Sequence, residues 1–228
     1  MRHGVSLLAI SLLLIGASPA AAAGDSAPSD GDKPTAGTQV KSKRTLTPAE
    51  KAERESRKAC KIEICDILAT EAAEGPDVAC DIVKTWHTDD IVDMLGGRID
   101  WPWGNAVCQS RLRLKRAALA KAMSEARYRF AMEPYAVRCS LHQKNGKPYV
   151  VELEMTPKVT FKDGKAVSAE IDWGEVSAPM LIYPIIYAGT GLDNSANVLG
   201  PEVVHMVNEF TGKKCAKVKD ELPSNQPD

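Results

Sequence analysis

Apolar and polar positions change their spacing several times along this chain, and each change predicts a new element. Thr47-Pro48-Ala49-Glu50 has the makings of a helix start: Thr47 as cap, Pro48 in the first turn, Glu50 as the capping-box acid. A charged stretch and then Ala59, Ile62, Ile64, Ile67 and Leu68 extend the helix, which is expected to stop near Gly75-Pro76. Val78–Trp86 alternates as a strand, with Cys80, Ile82 and Trp86 on one side and Asp81 and Thr85 on the other. A short helix should start at Thr88, with Asp89 and Asp90 in its positive first turn, and end at Gly96-Gly97. Cys108–Lys115 alternates again as a half-buried strand, although fusion to the helical stretch Arg116–Arg127 is also compatible with the pattern.

The next part reads as a meander. Val137–Gln143, Lys147–Met155, Val159–Phe161 and Lys165–Trp173 are β-rich. Asn145-Gly146 and Asp163-Gly164 tolerate the positive φ of tight hairpin turns, so the neighbouring segments should pair antiparallel. Pro157 has no N–H to give a ladder and marks an edge or a break. Met180–Tyr187 is apolar but holds Pro184, and reads as a packed irregular segment. A last helix runs from Pro201, with Val203, Val204, Val207 and Phe210 as its buried stripe and Gly212 as its stop. Strands and helices are segregated, which predicts an α+β fold: a mainly antiparallel sheet packed with helices.

The ends change the picture from fold to compartment. Residues 1–23 read as a cleaved export signal: Arg2, an apolar run from Val5 to Ile15, and small residues up to an A-x-A site at Ala22 or Ala23. That run is too short to span a bilayer, so no transmembrane anchor is expected. Residues 24–46 form a flexible linker poor in large apolar side chains, 47–215 a single domain, and 216–228 a disordered tail. All six cysteines, Cys60, Cys65, Cys80, Cys108, Cys139 and Cys215, follow the export signal and are expected to form three disulfides. Docking of the last helix on the meander predicts a Cys139–Cys215 bridge.

The formal net charge of −1 gives no reason to expect nucleic acid as a partner. Charge is nonetheless unevenly spread, acidic from Glu63 to Asp100 and basic from Arg111 to Arg138. Arg111, Arg113 and Lys115 form a stripe that could meet anionic groups, or could simply face solvent and complement the protein's own acids. Trp101 and Trp103 sit in the loop Trp101-Pro102-Trp103-Gly104, where indoles suit a sugar face or a partner pocket, or fold back on the core.

Catalytic chemistry has few candidates. His205 shares a helical face with Glu202 and Glu209, a spacing able to offer ligands to an ion, yet that face opposes the apolar stripe and reads first as solvated. His87 has Asp89 and Asp90 nearby in sequence, and His142 precedes a hairpin turn. No metal site and no cofactor is expected, since there is no nucleophile elbow, zinc-protease, phosphate-loop or dinucleotide signature. The expected function is therefore non-enzymatic: an exported interaction protein of a bacterial cell envelope, binding an envelope polymer or protein. The alternatives are a hydrolase acting on an envelope polymer, and a small-ligand or lipid carrier with Met180–Tyr187 lining its cavity.

Overall fold

The structure, a computed structural model, describes residues 44–95, 101–143 and 145–223. The expected linker up to residue 43, Gly96-Gly97 and residues 224–228 lie outside it. The described residues form five α-helices and a six-stranded antiparallel sheet. In chain order these are α1 (Pro48–Thr70), β1 (Val78–Trp86), α2 (Thr88–Leu95), β2 (Ala106–Leu114), α3 (Arg116–Ser124) and β3 (Arg127–Ala131). Then follow β4 (Tyr135–Leu141), β5 (Tyr149–Lys162), β6 (Lys165–Ser177), α4 (Tyr183–Ala196) and α5 (Gly200–Glu209).

α1 begins with the expected capping box: Thr47 N–H donates to the Glu50 carboxylate at 2.7 Å, and Glu50 N–H donates to Thr47 Oγ1 at 3.2 Å. It stops at Thr70, ahead of Gly75-Pro76, because Glu71 turns left-handed and its N–H closes on the Ile67 carbonyl. The helical stretch after β2 is also shorter than the pattern predicts. α3 ends at Ser124 and the chain turns into β3, whose five residues are too few for their alternation to stand out.

Strand order is β1-β2-β4-β5, with β3 and β6 also on β5. β6 pairs along β5 from Glu152 to Lys162, so β4 and β3 must share the opposite edge, β4 against Tyr149–Met155 and β3 against Lys158–Lys162. Pro157 sits where one partner hands over to the next. Its carbonyl accepts from Met132 N–H at 3.0 Å, and its missing N–H falls at the gap, so the two expected strands run through it as one. The β5–β6 hairpin turns at Asp163 and Gly164, both at positive φ.

The register gives the sheet two unlike faces. Ile82, Ser110, Val137, Leu153 and Val176 stand in one row across five strands on the face that carries the helices and the core. The other face carries cross-strand ion pairs, among them Arg111 with Asp81 at 3.0 Å and Arg138 with Glu152 at 2.8 Å. α1, α4 and α5 pack along the outer strands, with α3 against α1 and β3.

The β1 and β6 edges of the sheet are met by helix side chains. Along β1, Glu53 of α1 accepts from Thr85 N–H at 2.9 Å, and Ser56 and Arg57 donate to the carbonyls of Asp81 and Val83. Along β6, Asn194 and Asn208 each pair through both amide atoms with one backbone residue, Trp173 and Ala166, and Asn197 donates to the Ala169 carbonyl at 2.9 Å. α5 starts on a glycine because a Cβ at Gly200 would stand 2.5 Å from that same carbonyl oxygen.

The disulfides are Cys60–Cys80, Cys65–Cys215 and Cys108–Cys139. This corrects the expected Cys139–Cys215 bridge. Cys139 lies inside the sheet, directly opposite Cys108 on β2, with Cα atoms 4.0 Å apart. Cys215 is carried to α1 instead, because α5 does not stop at Gly212 but continues as a π-helical turn, Phe210–Lys214. The expected disordered tail is corrected in its first part as well. Val218 and Leu222 are buried with Cys65, so the packed domain runs on past Cys215 to Leu222. Met180–Tyr187, expected to be irregular, leads into α4, since Pro184 falls in the first helical turn where no N–H is required.

Candidate functional site

Between the apolar face of the sheet and the helices lies a cavity of about 170 Å³. Its walls come from four places. α1 supplies Ile64 and Leu68, and α3 supplies Leu119 and Ala122. α5 and its π-helical turn supply Val203, Met206, Val207 and Phe210. The sheet supplies the floor, including Ile82, Leu112, Phe130, Val159 and Ile171. None of the described residues that line it is charged, and the hydroxyl-bearing ones are Ser110, Tyr135 and Thr211.

The sequence positions these walls locally, but only the fold brings them together. Ile64 and Leu68 are four apart on α1, and Met206 and Phe210 are four apart on the last helix, so each pair shares one helical face. The Cys65–Cys215 bridge ties these two helical walls to one another across 150 residues of chain. Thr211 bonds back to its own helix, its hydroxyl donating to the Asn208 carbonyl at 3.3 Å. Burial around the phenolic oxygen of Tyr135 pushes its pKa up to about 12.

The residues singled out by sequence lie elsewhere. Trp101 and Trp103 are half-buried against the core, and their rings meet edge to face with centroids 4.8 Å apart. The Trp101 indole N–H donates to the Gly104 carbonyl at 2.9 Å, which folds the loop onto itself. Arg111 is paired with Asp81, and Lys115 with Asp77 and Glu133, leaving Arg113 exposed beside them. The stripe is thus largely complemented by the protein's own acids.

His87 contacts Glu50, the cap acid of α1, rather than the sequence-adjacent Asp89 and Asp90, which face Arg44 at 3.6 and 3.3 Å. Bonds from Thr47 backbone and side chain, then His87, hold the Glu50 carboxyl down at about 2. Glu202 and His205 are exposed, and Glu209 is half-buried beside Lys214 at 4.0 Å. Among the described residues no group of three His, Cys, Asp or Glu side chains is disposed to hold a metal ion. His142 is exposed, its backbone bonded to Gly104 and Asn105.

None of the described side chains in Met180–Tyr187 lines the cavity. Ile182 is buried, while Met180, Leu181, Tyr183 and Tyr187 are exposed and the two tyrosine rings stack at 5.5 Å. Sequence reasoning missed the cavity because its lining residues are individually ordinary core residues. The one signal was Ser110, a hydroxyl on the apolar side of an otherwise alternating strand. No described helix is long and apolar enough to cross a membrane. Comparison with protein-family models, with curated proteins and with solved structures finds no match.

Proposed function

We propose that the protein is an exported, non-catalytic carrier that holds a small apolar ligand in the cavity between its sheet and helices. One observation carries this reading: an unfilled space of about 170 Å³, lined without charge, inside a domain crosslinked by three disulfides. A dry apolar cavity of roughly 150 Å³ is enough to take benzene or xenon in a well-packed protein. Ligand pockets for drug-sized molecules start near 300 Å³, so the occupant here is a single ring or a short alkyl chain. Export through a signal at residues 1–23, into an oxidising compartment such as the periplasm, agrees with full pairing of the cysteines.

Benzene or xenon binding to the oxidised protein tests the proposal, read by thermal shift and by density in the cavity of a pressurised crystal. Saturating benzene should raise the melting temperature by several degrees, because a ligand at about a hundred times its Kd adds about 2.7 kcal/mol. Filling the space with Ala122→Leu should abolish that rise. Absence of both xenon density and thermal shift sinks the carrier.

A second reading, an interaction protein of the cell envelope, is supported by the exposed Met180, Leu181, Tyr183 and Tyr187, not by the tryptophan loop. A photo-crosslinker at position 181 should then form a discrete adduct in the exporting cell. No adduct beyond that of a control surface position removes the support.

A further inference from the structure

The carrier reading leaves the ligand's polarity open, and two side chains in the lining bear on it. Ser110 on β2 and Tyr135 on β4 project from the same face of the sheet: Ser110 is opposite Val137, and Tyr135 is two residues from Val137 on the same strand. They are diagonal neighbours across adjacent strands. Among the described residues neither hydroxyl has a hydrogen-bond partner, unlike that of Thr211. Yet no described buried side-chain oxygen is both sealed from space and unpaired, so these two open onto accessible volume.

Tyr135 and Ser110 both line the apolar cavity. The Tyr135 oxygen is surrounded closely enough by protein for burial to hold the phenol protonated up to about 12. Two hydroxyls without a partner in the lining of an otherwise apolar cavity are the polar groups there able to meet a ligand. Leaving such a donor unpaired is unfavourable, and a ligand oxygen placed there relieves it. No described lining residue carries a charge to offset an ionised ligand, and burying an unpaired charge is far more costly than burying a neutral dipole.

We infer that the cavity takes an uncharged ligand with one hydrogen-bond-accepting oxygen, a small ketone, aldehyde, ester or alcohol, whose oxygen is held by Tyr135 and Ser110 while its hydrocarbon part fills the apolar walls. This rests on the carrier reading and deepens it.

A matched set of ligands separates the two. Cyclohexanone and methylenecyclohexane have nearly the same shape and differ in the oxygen, and cyclohexanecarboxylate adds a charge. Calorimetric titration of the oxidised protein should show binding of the first two and none of the carboxylate. Tyr135→Phe should weaken cyclohexanone about fivefold and leave methylenecyclohexane within about twofold, with Ser110→Ala acting in the same direction by less. The unmodified protein provides a second readout, since the carbonyl stretch of bound cyclohexanone should move to lower frequency than in hexane. Equal effects of Tyr135→Phe on both ligands, a hexane-like carbonyl frequency, or binding of the carboxylate as tight as the ketone overturns the inference and leaves the carrier standing. Failure of both neutral ligands to bind the unmodified protein overturns the carrier and this inference with it.

Discussion

Along β1 the open edge of the sheet meets the charged and hydroxyl side chains of α1, and along β6 it meets asparagine amides from α4 and α5. Both arrangements supply the backbone groups of an edge strand with partners and so block edge-to-edge association. They differ in what else they depend on. The β1 edge uses Glu53 and Arg57, an ion pair at 3.6 Å in which burial pulls the guanidinium pKa down, and it is pinned by Cys60–Cys80. The β6 edge uses neutral amides with both a donor and an acceptor, so one asparagine can mimic a residue of a neighbouring strand. No disulfide joins α4 or α5 to β6. One edge is therefore sensitive to charge and redox state, and the other to the shape of a few short side chains.

Breaking the link between the two edge systems should have the largest effect. Cys65–Cys215 closes a loop of 150 residues, for which the chain-entropy treatment sets an upper value of about 5 kcal/mol. The Cys65→Ala/Cys215→Ala double variant should lose about 2–4 kcal/mol by urea unfolding. It should also lose affinity for benzene, since the bridge joins two walls of the cavity. A change under about 1 kcal/mol would show that packing of Val218 and Leu222 already fixes the C-terminus on α1.

Asp193 comes next. It is 2% exposed, and its carboxylate accepts from the Trp173 indole N–H at 2.8 Å and from Leu199 N–H at 2.7 Å. Asp193→Ala leaves two donors unpaired at the β6 edge and should destabilise by about 2–4 kcal/mol. Tryptophan fluorescence and urea midpoint read the local and global parts.

The asparagines and Glu53 allow the two edges to be compared directly. Asn208→Ala and Glu53→Ala each remove backbone partners and should cost about 1–2 kcal/mol. Raising the salt concentration should change the stability difference for Glu53→Ala and leave that for Asn208→Ala unaltered. Equal salt dependence would dissolve the distinction between the edges.

The smallest effect is a pH dependence confined to the α1 side. The Glu50 carboxyl is lowered from 4.5 to about 2 in the folded protein, chiefly by Thr47. A lowered carboxylate contributes stability that is present above its unfolded pKa and is lost as pH falls towards the folded value. The melting temperature of the wild type should therefore fall between about pH 4.5 and pH 2 more steeply than that of Glu50→Gln, which keeps the capping box without the charge. Parallel curves would remove Glu50 from the acid response.

Local chemistry in the sequence determined much of this protein. Thr47 with Glu50 marked the start of α1, and alternation alone placed β1 at Val78–Trp86. Asp163-Gly164 marked the β5–β6 hairpin, and segregation of strands from helices marked the α+β class. These features depend on contacts within a few residues, so the chain itself carries the information. Disulfide pairing, the cavity and the edge asparagines were decided by tertiary structure. Cys139 faces Cys108 because β2 and β4 are neighbours in the sheet, and Cys215 meets Cys65 because the helix continues through Gly212. Asn194, Asn197 and Asn208 read as ordinary polar helix residues until β6 is laid beside them. The cavity exists because α1, α3 and α5 approach one sheet face without filling the space between them, and no residue's neighbours in sequence encode the volume left over.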